Sequence, residues 1–180
     1  MYRVNNDKRV RQSAELIGTG LMKCLKDKPL SKINISEICT ESNISRATFY
    51  RIFDTPTDVL TFLCDDLADE MLARYQNSGI NDSDSLSLFI LEFWMEHSDI
   101  LESIIKSGRH TVLQTSFEKC HEKITPSGKY GLNETQLQYL RVTLAAILCS
   151  ILLVWSRRGK KETAHELFDL YRGFSQYSER

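Results

Sequence analysis

The 180-residue sequence has little that would interrupt a helix or crosslink the chain, with three Pro, eight Gly and five Cys. Scarce Pro and Gly, and the absence of any low-complexity tract, exclude collagen-like, disordered and linker-dominated architectures. An odd number of cysteines with no Cys-x-x-C pair fits neither a disulfide framework nor a zinc ribbon. Cys24, Cys39, Cys64, Cys120 and Cys149 therefore read as small apolar core residues, and no metal or cofactor is expected. The opening MYRVNNDKRVRQ lacks the apolar h-region of a secretory signal, so the expectation is a cytoplasmic chain. Long apolar runs are missing too. The richest, Val142–Trp155, is interrupted by Thr143 and Ser150 and falls short of the ~20 residues a membrane span needs, so it reads as a core or interface helix with no membrane partner.

Charge of one sign is absent overall, with 23 Lys and Arg against 24 Asp and Glu, but it is unevenly spread. Up to Phe53 the chain holds ten basic and five acidic residues, and after it thirteen basic and nineteen acidic. A basic head on a weakly acidic body suggests a polyanion-facing end.

What is present is helical period. Ala14, Ile17, Leu21 and Leu25 define one helix face from about Val10 to Lys26, and Gly18 and Gly20 within it point to close packing against a neighbour. Asn34 caps a short second helix with Glu37 three residues on, in a capping box. That helix stops at Ser42-Asn43, and Ser45 caps a third helix, Arg46 to Phe53. Thr55 opens a fourth with Pro56 at its first position and Asp58 at its third, running to about Tyr75. Apolar spacing then gives five more helices, with Thr125–Gly131 the clearest loop. No segment alternates as a strand would. The expected fold is all-α with about nine helices, an N-terminal three-helix helix-turn-helix head (residues 1–54) and a helical effector-binding and dimerisation body (residues 55–180).

Two short helices joined by a tight turn have the layout of a helix-turn-helix, whose second helix enters the DNA major groove. Here that helix reads Ser45-Arg46-Ala47-Thr48-Phe49-Tyr50-Arg51, offering guanidinium, hydroxyl and phenol groups to phosphates and base edges, with Phe49 and Phe53 suited to an inner face. For Tyr50 both a core position and a DNA-facing one stay open on helix geometry alone.

The stretch Ile35-Ser36-Glu37-Ile38-Cys39-Thr40-Glu41-Ser42-Asn43-Ile44-Ser45-Arg46-Ala47-Thr48-Phe49-Tyr50-Arg51-Ile52-Phe53, followed by a capped helix, resembles the DNA-binding head of the tetracycline-repressor (TetR/AcrR) family. The resemblance covers about residues 10–63, and beyond them only helix number and length match. It implies a bacterial, cytoplasmic homodimer that binds palindromic double-stranded operator DNA, regulates transcription and answers to a small-molecule effector held in the helical body. DNA contacts would come from Ser36, Ser45, Arg46, Ala47, Thr48, Tyr50 and Arg51, with Lys8, Arg9 and Arg11 on phosphates. The sequence departs from the family at Pro56, where a phosphate-contacting Lys is usual, and at Ile52, where an aromatic or His often stands. Pro56 shifts the expected phosphate clamp toward Lys8, Arg9, Arg11, Thr48, Tyr50 and the N-terminus of the fourth helix. It also motivates an alternative, a helical interaction module or co-regulator with weakened DNA binding. An enzyme is not expected, because no nucleophile has a base, no carboxylates pair and no metal set exists.

In the body, Phe89, Phe93, Trp94, His97, His110 and Phe117 form an apolar, aromatic set suited to lining an effector cavity for an apolar or aromatic molecule, with His97, His110 or Tyr130 to orient it. Ordinary core packing would show the same composition. Leu144, Ile147, Ile151, Val154 and Trp155 make the eighth helix apolar nearly all round, and Phe168, Tyr171 and Phe174 on the ninth offer a matching face. Two such pairs would build a four-helix bundle about a two-fold axis.

Overall fold

The computed structural model describes residues 2–4, 7–124 and 131–177, the side chains of 174–177 excepted. Among the described residues there are nine α-helices and no strand. The expected loop Thr125–Gly131 lies outside them except for Gly131, as do Tyr130 and the side chain of Phe174.

The helices are α1 (Lys8–Asp27), α2 (Ile35–Ser42), α3 (Arg46–Ile52), α4 (Pro56–Gln76), α5 (Ser83–Glu96), α6 (Ser98–Lys106), α7 (His110–Ile124), α8 (Glu134–Arg157) and α9 (Ala164–Tyr177), with a 3-10 turn at Leu30–Lys32. They divide into two compact units. One comprises Met1–Leu67 with Glu102–Val112, and the other Ala68–Leu101 with Leu113–Arg180.

In the first unit, α1, α2 and α3 pack on one another. Local chemistry sets their ends. Asn34 Oδ1 accepts from the Glu37 N–H at 3.0 Å while Glu37 Oε2 accepts from the Asn34 N–H at 2.9 Å, completing the capping box. Lys28 donates to Glu37 and holds that carboxyl below its usual range. Ala14, Ile17, Leu21, Ile38, Phe49 and Ile52 are fully buried. Each large side chain among them contributes about 2 kcal/mol through burial.

In the second unit, α5 packs on both α8 and α9. Asn133 and Gln136 form a second capping box at the start of α8, with both bonds at 3.0 Å. The helix that follows has 24 residues, longer than its uninterrupted apolar stretch, and an 18-residue window of mean hydropathy 2.0. By length and composition alone it could cross a membrane, although the apolar run Val142–Trp155 within it is shorter than a span. Its Leu137, Ala145, Leu148, Cys149, Leu152 and Trp155 face inward.

The two glycines of α1 differ in what they permit. A Cβ at Gly20 would stand 2.8 Å from the Ile38 carbonyl oxygen and 2.9 Å from the Ser42 nitrogen, so α1 and α2 meet there backbone to backbone. A Cβ at Gly18 would meet Leu63 Cδ2 at 2.7 Å, the end of a rotatable side chain. Gly20→Ala is expected to destabilise the chain by about 1–3 kcal/mol through forced separation of the helices. Gly18→Ala should cost far less, because helix propensity offsets a small side-chain shift. Thermal unfolding followed by circular dichroism compares the two, and equal midpoints would contradict the close approach.

Candidate functional site

The turn between α2 and α3 is built from three side chains. Asn43 adopts the left-handed conformation (φ 54°, ψ 38°), and its N–H donates back to Thr40 and Cys39. Ser42, buried, donates its hydroxyl to the Ile38 carbonyl at 2.6 Å. Ser45 Oγ accepts from the Thr48 N–H at 3.1 Å and lies 3.0 Å from Thr48 Oγ1, so the cap ties the two hydroxyls together at the helix start.

These constraints orient α3. Phe49 and Ile52 are fully buried, while Arg46, Ala47, Tyr50 and Arg51 are exposed. Tyr50 is 47% exposed, its ring set edge-on to Phe49 at 5.8 Å, which resolves its placement in favour of the surface. Ser36 and Ser45 are exposed nearby in sequence and Thr48 is half-buried. No ion pair engages Arg46, Arg51, Lys8 or Arg9 among the described residues.

Arg11 is placed differently. It is bound to Asp66 and, at 3.1 Å, to Glu15, so its charge is already matched within the first unit. The N-terminus of α4 also departs from the expected phosphate anchor. Asp58 Oδ2 accepts from the Thr55 N–H and hydroxyl, both at 2.9 Å, and from the Asp54 N–H at 3.3 Å. The Asp58 N–H in turn donates to Thr55 Oγ1 at 3.2 Å. Pro56 brings no N–H, so carboxylate and hydroxyl groups hold the donors that a phosphate would need.

In the second unit the aromatic set packs ring on ring. Trp94, fully buried, meets Phe117 edge-on at 4.9 Å and Phe93 at 6.1 Å, and His97 stacks on Phe93 at 4.4 Å. Phe89 turns toward Tyr75 at 6.3 Å. His110 belongs to the other unit. The space bounded by Met71, Ile90, Phe117, Cys120, His121, Ile124 and Leu148 has no room for a water molecule. His121 is buried there, and burial holds its pKa down at about 4.

The large concavity lies elsewhere, along α8 and α9. A groove of about 1240 Å³ is lined by Val142, Ala146, Ile147, Ser150, Ile151, Val154, Trp155, Leu167, Leu170 and Tyr171, with Arg158 and Glu162 at its polar end. Ile147, Ile151, Val154, Trp155 and Tyr171, expected at a dimer interface, all line it, while Leu144 and Phe168 do not. Trp155 is also anchored from below, donating its indole N–H to the Glu162 carbonyl at 2.9 Å.

The α2–turn–α3 layout is that of a helix-turn-helix, followed among the described residues by six further helices. Across 97% of its length the chain is similar to the crystal structure of Lin0861 from Listeria innocua, with a TM-score of 0.83, 17% identity and 95% of that chain covered. A TetR transcriptional regulator from Streptococcus agalactiae 2603V matches with a TM-score of 0.63 and 18% identity, over 92% of this chain and 94% of that one. The fatty acid degradation regulator FadR from Bacillus halodurans matches with a TM-score of 0.52 and 14% identity, over 97% and 95%. The fold is that of TetR-type regulators, as the motif resemblance implied. No protein-family model and no curated protein matches the chain.

The buried His121 makes stability depend on pH. Its folded pKa of about 4 lies below the ordinary 6.5, so the unfolded chain binds the proton first. The resulting stabilisation is complete above pH 6.5 and is lost as pH falls toward 4. Within that window the slope approaches about 1.4 kcal/mol per pH unit. Chemical denaturation at stepped pH should show this slope, and His121→Gln should flatten it. An unchanged profile in the variant would place the titration elsewhere.

Proposed function

We propose that the chain is a DNA-binding transcription regulator that acts as a homodimer on palindromic operator DNA, in the cytoplasm of a bacterium, as a repressor released by an apolar or aromatic small molecule. One observation carries the reading. α3 presents Arg46, Ala47, Tyr50 and Arg51 on a single exposed face, while Phe49 and Ile52 hold the helix from behind. Exposed cations that no ion pair engages among the described residues keep their charge available for phosphate and base edges. Residues 1–54 serve as the DNA-binding head in this reading, and 55–180 as the effector and dimerisation body. Ser36, Ser45 and Thr48 supply hydroxyls around α3, and Lys8 and Arg9 extend the positive surface along α1.

The groove on α8 and α9 is proposed to receive the same groove of a second copy. Val142, Val154 and Leu170 stand 41%, 55% and 51% exposed there, an apolar surface suited to covering in an isologous four-helix contact. That arrangement also accounts for the apolar length of α8 without a bilayer. The effector would enter the body by opening the packing around Phe93, Trp94 and Phe117, with Phe89 and His97 at its edge, all within the second unit. Ligand binding would then favour one separation of the two recognition helices over another. A co-regulator with weakened DNA binding is the second reading, favoured by Asp54, Pro56 and Asp58 at the start of α4.

Gel-shift assays on DNA from the region upstream of the chain's own coding sequence separate the two readings. Specific binding is expected, and Arg46→Ala should weaken it by about 1–3 kcal/mol while leaving unfolding unchanged. Tyr50→Phe should lose less and keep the sequence preference. A wild-type chain with no specific DNA binding would favour the co-regulator. For the groove, light scattering in detergent-free buffer should show a dimer for the wild type and monomers or aggregates for Ile151→Glu. A soluble dimeric Ile151→Glu protein would exclude this interface.

A further inference from the structure

The C-terminal end of α3 is completed only in part by its own sequence neighbours, the Phe53 N–H donating to the Phe49 carbonyl at 2.8 Å. A helix of seven residues leaves its last carbonyls without intrahelical donors, and so short a helix is marginal unless both ends are held. Its N-terminal end has Ser45. Its C-terminal end is met by residues from the start of the chain. The Arg3 N–H donates to the Ile52 carbonyl at 2.8 Å, and Arg3 Nη1 reaches the Tyr50 carbonyl at 3.4 Å. Arg3 Nη2 pairs with Asp54 at 2.6 Å, and the guanidinium holds that carboxyl below its usual range.

Arg3 is itself secured by the preceding residue. The Tyr2 ring lies against Phe62 at 5.7 Å and Phe53 at 6.3 Å, and its hydroxyl donates to Asp65 at 2.8 Å. The segment thus spans from the end of α3 to the flank of α4. It does three things there. It supplies donors to orphan carbonyls, it puts a cation at the negative end of the α3 dipole, and it matches the Asp54 charge beside the exposed Tyr50–Arg51 edge.

We propose that Tyr2 and Arg3 are positioning residues for DNA binding, a detached C-terminal cap that sets the recognition helix without itself touching the duplex. This rests on the reading of α3 as the DNA-facing helix. Tyr2 is the sharper probe, because its ring and hydroxyl are both engaged inside the first unit. Losing it should release Arg3 and loosen α3 while removing no cation.

The test uses the full-length chain and a labelled duplex carrying the region upstream of its own coding sequence. Tyr2→Ala and Arg3→Ala should each weaken binding about fivefold, the equivalent of one lost hydrogen-bonded anchor. Tyr2→Phe, which keeps the ring contacts, should recover most of that. In Tyr2→Ala the dependence of affinity on salt should keep its slope, since no phosphate contact is removed. Amide hydrogen exchange of residues 46–52 should accelerate in both alanine variants, with α8 unchanged. Exchange in α3 equal to wild type would overturn the proposal. So would an Arg3→Ala variant whose salt slope falls by about one while α3 exchange stays fixed, because Arg3 would then be a phosphate contact. If the wild-type chain binds no duplex, the DNA-binding reading fails by itself, and faster or unchanged α3 exchange in the variants still decides whether Tyr2 and Arg3 cap the helix.

Discussion

The head depends on the contact at which the backbones of α1 and α2 touch at Gly20. Only a residue without Cβ lets the Ile38 carbonyl and the Ser42 nitrogen come so near, and Ser42 is the last residue before the left-handed turn. The direction in which α3 leaves that turn is therefore inherited from the α1–α2 approach. Ser42, buried under this contact, turns its hydroxyl onto its own helix instead of spending it on the surface. Asn43 and Ser45 then act in sequence, one reversing the chain and the other restarting the helix. A displacement at Gly20 would reach Arg46 through covalent geometry and two caps, with no loose segment between to absorb it.

The helices of the body show a different economy. α8 must satisfy an inner face packed on α5 and an outer one that remains broadly apolar. An outer face with valine, isoleucine and leucine flanking the small Ala146 and Ser150 suits close approach by another helix better than contact with water. Glu162 and Arg158 pair at 2.7 Å and bound the apolar surface at one end, where a charged rim limits register. The aromatic cluster around Trp94 is the opposite case, a set of rings whose contacts are already made within the unit. Composition alone makes a binding cavity and a close-packed core look alike, because both select the same residues.

What the sequence disclosed was chiefly local. Asn34 with Glu37 is a cap whose partner lies three residues away, so the spacing alone specifies it, and Ser45 is legible as the cap of α3 for the same local reason. Phe49 and Phe53 follow helical period and are buried, and Gly18 and Gly20 announced close packing, although only coordinates distinguish a backbone neighbour from a leucine tip. Three features resisted. Arg11 is neutralised by Asp66, far along the chain, and no pattern links them. The N-terminus of α4 was expected to be open to phosphate, but the same Thr55 and Asp58 that cap it also occupy its donors. The Tyr2–Arg3 contacts join residues some fifty positions apart, which a reading of local period cannot reach. Tyr50 was undecided for a related reason, since its exposure depends on how α3 sits against Phe53 and α1 rather than on its own spacing.

All five cysteine side chains lie inside the protein, and they are divided between the units. Cys24, Cys39 and Cys64 belong to the first, Cys120 and Cys149 to the second. Burial pushes the Cys24, Cys39 and Cys149 thiols up, so alkylation at neutral pH waits on an opening of the surrounding packing. The molecule thus carries built-in reporters of local opening in each unit. The rate at which a mass tag attaches to each cysteine measures how often that region breathes. Tagging at the first set and at the second then reports opening in each unit separately, with no label engineered into the chain.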